Sequence, residues 1–126
     1  MRLRKEFTFD AAHNLIRYRG ACERLHGHTY RLAVEIAGSV NDDDMIIDFC
    51  EVSSAVRERV LSKLDHAYLN DILEQPTAEN IALWVWKQID GPLKRENCAL
   101  CAVTVWETAT SSVTIERGDV HARCSE

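Results

Sequence analysis

The chain has 126 residues, 46% of them hydrophobic and 28% charged, with a formal net charge of −5 at pH 7. That length suits one domain with a real core, so residues 1–126 are read as a single domain, and the acidic balance excludes the broad basic face that nucleic-acid binding needs. No apolar run approaches a membrane span and the start MRLRKEF is not a secretory signal; with an odd count of five cysteines, this predicts a reduced, cytoplasmic chain without a disulfide framework.

In chain order, RLRKEFTFDAAH alternates Leu3, Lys5, Phe7 and Phe9 against Arg4, Glu6, Thr8 and Asp10, the pattern of a half-buried strand. RYRGACERL reads as a loop. HTYRLAVEIAG alternates Tyr30, Leu32, Val34 and Ile36 against Arg31, Ala33 and Glu35, a second strand, and the polar cluster from Gly38 to Asp44 is a turn. Asp48 with Glu51 three residues on resembles a capping box, and Phe49, Val52, Val56, Val60 and Leu64 form one apolar helical face. LDHAYLNDILEQ is an irregular connection ending at Pro76. Thr77 is a good N-cap for a second helix through about Ile89, which Asp90-Gly91-Pro92 stops. Two more strands, ALCAVTVWE near 99–107 and SVTIERG near 112–118, flank the turn from Thr108 to Ser111. The order ββααββ predicts an α+β fold: a four-stranded antiparallel sheet with two helices on one face.

The chemistry concentrates in CERLHGHTY, residues 22–30. His26 and His28 stand two apart at a strand start, so their side chains leave one face roughly 6–7 Å apart, close enough to converge on an ion. An arbitrary H-x-H is more often a surface pair. Here His13 ends the neighbouring strand, where antiparallel pairing brings a third imidazole near, and Cys22 lies four residues before His26. Three histidines without a fourth close protein ligand match a catalytic zinc, with a position left for water or substrate; a closed structural site that includes Cys22 is the competing arrangement. Outside such a site, Cys22 is a nucleophile or base, its thiol acidified by the ion and by Arg19 and Arg24. Cys98 and Cys101 have C-x-x-C spacing without a second pair or a redox setting, and read as packing.

Asp65-His66 follows a helix C-terminus. A carboxylate beside an imidazole can orient it as a general acid, although a histidine there can equally serve the helix dipole. Glu107 shares a strand face with Cys101, Val103 and Val105, so its carboxylate closes an apolar row and needs an arginine or a ligand.

FTFDAAH, C-x3-H-G-H, Asp48-Phe49, LDHAYLN, PTAEN and WET, in that order and over almost the whole chain, resemble the 6-pyruvoyl-tetrahydropterin synthase family. The resemblance implies the tunnelling fold (T-fold), a ββααββ unit whose trimers form a barrel and stack into a hexamer. It implies that His13, His26 and His28 ligate zinc, that Cys22 is the proton-abstracting base, that Asp65 and His66 form the acid relay, and that Glu107 anchors a pterin. The short gap before H-G-H is similar to the queuosine-pathway branch, the 6-carboxy-5,6,7,8-tetrahydropterin synthases. The implied reaction takes 7,8-dihydroneopterin triphosphate to the carboxylated tetrahydropterin with release of triphosphate and acetaldehyde. Where the family often carries a hydroxyl residue in PTAEN this chain has Ala78, which leaves one substrate hydrogen bond missing or supplied by Thr77. The competing functions are 6-pyruvoyl-tetrahydropterin synthase proper, an aldolase-like activity on dihydroneopterin, and a non-catalytic zinc-dependent pterin-binding protein.

Overall fold

The computed structural model describes residues 1–14 and 25–124, apart from the side chains of His26 and of residues 122–124. Two long strands, β1 (Arg2–His13) and β2 (His26–Gly38), pair antiparallel from Arg2 opposite Ala37 to His13 opposite His26. A helical run follows, made of α1 (Phe49–Val56), a π-helical turn (Arg57–Leu61) and α2 (Ser62–Leu64). After it come the two-residue β3 (Ala67–Tyr68), a 3-10 turn (Leu69–Asp71), α3 (Ala78–Ile89), β4 (Cys98–Thr108), β5 (Ser111–Glu116) and α4 (Arg117–Cys124).

The sheet has five strands in the order β3-β1-β2-β4-β5. The expected α+β arrangement holds, with two corrections. β3 lies parallel to β1 at Ala11 and Ala12, so the sheet is mixed rather than a four-stranded antiparallel one. The last strand ends at Glu116 rather than near 118, because α4 begins at Arg117. The Asp119 carboxylate accepts the Glu116 N–H at 2.8 Å, and the Arg117 guanidinium bonds both Asp90 carboxylate oxygens at 2.9 and 3.2 Å, which ties α4 to the end of α3.

The helices cover one sheet face. Phe7, Phe9 and Ala11 of β1, Tyr30, Leu32, Val34 and Ile36 of β2, and Val103 and Val105 of β4 meet Val52, Val56, Val60, Leu64, Ile81, Val85, Trp86 and Ile89 in one core. Each large apolar side chain buried in this way contributes about 1.5–3 kcal/mol. Asp48 and Thr77 cap α1 and α3 as their sequence positions predict, accepting the N–H of Cys50 at 2.7 Å and of Asn80 at 3.1 Å.

The π-turn explains the first helix. Residues four apart overshoot a full α-helical turn by about 40°, so the row Val52, Val56, Val60, Leu64 would wind off the sheet. The wider turn through Val60 keeps all four fully buried. Phe49 stands only three residues ahead of Val52, falls to the side of that row, and is 55% exposed; it does not belong to the buried face the spacing predicts.

β4 carries a bulge. Ala102 pairs with Glu35 and Leu100 with Ile36, which leaves Cys101 as the extra residue. Cys101 therefore leaves the row of Val103 and Val105, and its thiol donates to the Glu35 carbonyl at 3.4 Å. Its place on the core side is taken by Leu100, 2% exposed. Cys98 and Cys101 are free thiols whose pKa values burial pushes up, in keeping with packing rather than thiolate chemistry. No helix among the described residues is long and apolar enough to cross a membrane.

Candidate functional site

Three neighbouring strands carry their core-facing rows to the same end of the sheet, and there each row turns polar. In β1 the buried residues Phe7, Phe9 and Ala11 lead to His13, 1% exposed. In β2 the row Val34, Leu32, Tyr30 leads to His28, which stands opposite Ala11. In β4 Val103 and Val105 lead to Glu107, itself the extra residue of a second bulge, since Trp106 pairs with Ser112 and Thr108 with Ser111. Such a bulge re-aims a side chain.

The result is a cluster. The imidazoles of His13 and His28 stack with centroids 5.3 Å apart. Oε1 of Glu107 lies 3.4 Å from Nε2 of His13 and 3.3 Å from Nε2 of His28. Imidazole nitrogen and carboxylate oxygen are ordinary zinc ligands, and a tetrahedral ion with bonds of about 2.0–2.1 Å has ligand atoms about 3.3–3.4 Å apart. The donors therefore fit a metal ion by type and spacing. His26 is the register partner of His13, and its side chain lies outside the described atoms. Cys22, with Arg19 and Arg24, lies outside the described residues.

The carboxylate of Glu107 thus meets two imidazoles. It also lines a hollow of 220 Å³ together with Thr77, Ala78, Glu79, Ser111, Ser112 and Val113, so the two residues expected to contact substrate, Glu107 and Thr77, share one cavity. The Thr77 oxygen accepts the Asn80 N–H, and its O–H can still donate.

Asp65 and His66 gather elsewhere, beside Asp10. Asp65 leaves α2 in an extended conformation, and His66 takes a left-handed one with φ 61°. Asp65 Oδ1 lies 3.2 Å from His66 Nδ1 and accepts the Asp10 N–H at 3.0 Å; Asp10 in turn accepts the Thr29 hydroxyl at 2.6 Å. The imidazole is 79% exposed. A left-handed histidine is strained, and strain of this kind concentrates at functional positions. An open cleft of 480 Å³ lined by Asp10, Ala11, Ala12, Gly27, His28, Thr29, His66 and Ala67 joins this pair to the imidazole cluster, because His28 and His66 share its walls.

Two residues at the site escape sequence reasoning. Asp10 sits at a solvent-facing strand position and reads as an ordinary polar alternate. Tyr30 reads as core, yet its hydroxyl is hydrogen-bonded to Nδ1 of His13. Burial, and then the charge of Glu107, push its phenol well above the usual tyrosine range. Its position two residues past His28 on the same face was the available signal.

The family model described as 6-pyruvoyl tetrahydropterin synthase matches residues 2–118. The 6-carboxy-5,6,7,8-tetrahydropterin synthase of Synechocystis sp. is 38% identical over 115 residues, covering 86% of this chain and 87% of that protein. The dihydroneopterin monophosphate aldolase of Pyrococcus furiosus is 36% identical over 109 residues, 86% of this chain and 91% of that protein. Among solved structures, Caenorhabditis elegans 6-pyruvoyl tetrahydropterin synthase superposes with a TM-score of 0.82 at 24% identity, over 92% of this chain and 94% of that one. That last likeness is one of fold.

Proposed function

The chain belongs to the 6-pyruvoyl tetrahydropterin synthase family, and from that premise we propose a zinc-dependent 6-carboxy-5,6,7,8-tetrahydropterin synthase. Its α+β unit is the family's tunnelling fold, and it is an enzyme of the lyase type that acts on pterins. The proposed reaction takes 7,8-dihydroneopterin triphosphate and water to 6-carboxy-5,6,7,8-tetrahydropterin, triphosphate and acetaldehyde. The Synechocystis relative of that name supports the choice of product, and so does the short C-x3-H-G-H spacing of the queuosine-pathway branch. The observation that carries the reading is the convergence of His13, His28 and Glu107 at the polar end of the core face.

In this reading His13, His26 and His28 would hold the ion. A bound zinc ion supplies Lewis acidity toward the substrate's side-chain hydroxyls and the carbons that bear them. Cys22, as thiolate, takes a proton from the side chain. His66, oriented by Asp65, delivers one from a different side, across the cleft it shares with His28. Glu107 accepts the pterin's amino group and ring N–H together, as a carboxylate accepts a guanidinium, and Thr77 donates from the same hollow. The assembly in this reading is a homohexamer made of two trimers.

A second reading, aldol cleavage of a dihydroneopterin phosphate, is favoured by the Pyrococcus relative. Both readings break the pterin side chain, so the products separate them. Incubation with 7,8-dihydroneopterin triphosphate, and in parallel with the monophosphate, followed by mass spectrometry is expected to give the 6-carboxy product with acetaldehyde from the triphosphate. A hydroxymethyl pterin would establish the aldolase, a pyruvoyl pterin the 6-pyruvoyl synthase, and unchanged but bound substrate a pterin-binding protein without turnover.

A further inference from the structure

His13 is held from both sides. Its Nε2 faces Oε1 of Glu107 at 3.4 Å, and its Nδ1 is hydrogen-bonded to the hydroxyl of Tyr30. Tyr30 is fully buried and cannot swing away. Its ring stacks on Phe9, the residue opposite it in the β1–β2 ladder, with centroids 4.9 Å apart and planes 9° from parallel. The same ring meets His28 edge-on, centroids 5.6 Å apart at 72°. One rigid phenol therefore touches both imidazoles of the cluster and bonds to one of them. An imidazole that ligates a metal almost always uses its second nitrogen in a hydrogen bond that fixes its orientation, and loss of that partner typically weakens metal binding 10–100-fold. A phenol can both donate and accept, so this contact survives whichever ring nitrogen carries the proton.

We infer that Tyr30 is a positioning residue: by engaging Nδ1 of His13 it fixes the ring so that Nε2 is the atom offered to the cation. The inference rests on the reading of His13 as a metal ligand. Tyr30 lies outside the H-G-H motif; its spacing from His28 sets it on the same face, but that spacing is also that of a core residue.

The test compares zinc affinity in wild type, Tyr30→Phe and His13→Ala, measured by competition with a chromogenic zinc chelator, with melts of the metal-free proteins alongside. Tyr30→Phe keeps the ring and its stack on Phe9 and removes only the hydroxyl. It is expected to bind zinc 10–100-fold more weakly with a metal-free melting temperature close to wild type, while His13→Ala loses zinc altogether. If His13→Ala loses zinc and Tyr30→Phe binds it as wild type does, the role of Tyr30 falls and the metal site stands. If His13→Ala binds zinc normally, the metal-ligand reading falls and takes the role of Tyr30 with it. An independent readout needs no variant: nitrogen chemical shifts of His13 in zinc-loaded wild type are expected to show a protonated Nδ1 and a metal-bound Nε2. Coordination through Nδ1 would overturn the inference.

Discussion

The backbone N–H of His66 donates to the carbonyl of Asp10 at 2.6 Å, so the strand that ends in His13 also fixes the turn that carries His66. The N–H of the same Asp10 goes to the Asp65 carboxylate. Both backbone groups of one β1 residue are thus committed to the two residues proposed as the acid relay, and β3 extends the attachment through Ala67 and Tyr68. What reads as an irregular connection is a segment stitched to the sheet.

His66→Gly tests whether that conformation is kept for chemistry. A side chain with a Cβ pays about 1–2 kcal/mol in the left-handed region, whereas glycine enters it freely but loses about 0.5–1 kcal/mol more on ordering. The melting temperature is expected to stay level or rise slightly. Product formation is expected to fall on the order of 10²–10⁴-fold, as for a lost general acid. Melts and turnover on one preparation check this; an early melt with normal turnover would make His66 a structural piece of the turn.

Metal content separates ligand from base. His28→Ala is expected to lose most bound zinc, while Cys22→Ala retains it and loses turnover. Elemental analysis of the purified variants decides. A Cys22→Ala protein without zinc would mean a closed site of one cysteine and three histidines, and the proposed use of the thiol would fall.

Glu107→Gln keeps the side chain's volume but removes its charge and one acceptor oxygen. Loss of a charge-assisted contact is expected to weaken pterin binding by about 1.5–3 kcal/mol, with zinc content and melting temperature retained. Calorimetric titration with a pterin checks the first, elemental analysis the second. Loss of zinc would instead make the carboxylate a ligand beside His13 and His28, the atoms it already meets at 3.3–3.4 Å.

The sheet borders favour association with another copy, and the number of copies expected rests on the family resemblance. β3 covers β1 only at Ala11 and Ala12, and β5 forms the other border. Long strand edges invite pairing with another copy. A hexamer built from two trimers, with sites at subunit boundaries, is the expected state, and light scattering should report about six chain masses. A stable monomer at micromolar concentration would falsify this.

The long elements were legible because their periods are strong. Alternation located β1, β2 and β4 to within two residues, and Asp48 and Thr77 announced both helix starts. β3 was not legible, since two residues cannot show a period. Neither was α4, whose sequence RGDVHARC is polar, with Val120 its buried anchor. Phe49 does not join the buried row because it stands three residues, not four, ahead of Val52, and so falls to the side of the row that the π-turn keeps on the sheet. At the site, the register that sets His13 opposite His26 was readable from strand ends. The hydroxyl of Tyr30 was not, because alternation reports which face a side chain takes and not what its polar tip meets.

The bulge at Cys101 has a longer reach than its own neighbourhood. Alternation along a strand is a count of two, and this bulge adds one. Upstream, the even-numbered Cys98 and Leu100 are on the core side; downstream, the odd-numbered Val103, Val105 and Glu107 are. Deleting Cys101 would leave Leu100, Ala102 and Val103 in unbroken alternation. Without the bulge, a regular strand running through Cys101 would instead put the two halves of β4 out of phase, so that one of them must turn its side chains over. If the downstream half gave way, the letters WET would remain intact while the carboxylate pointed away from both imidazoles. Whether Glu107 can serve the site is thus a matter of parity, kept by a bulge that absorbs one residue with no part in the chemistry and completed by the second bulge at Glu107 itself.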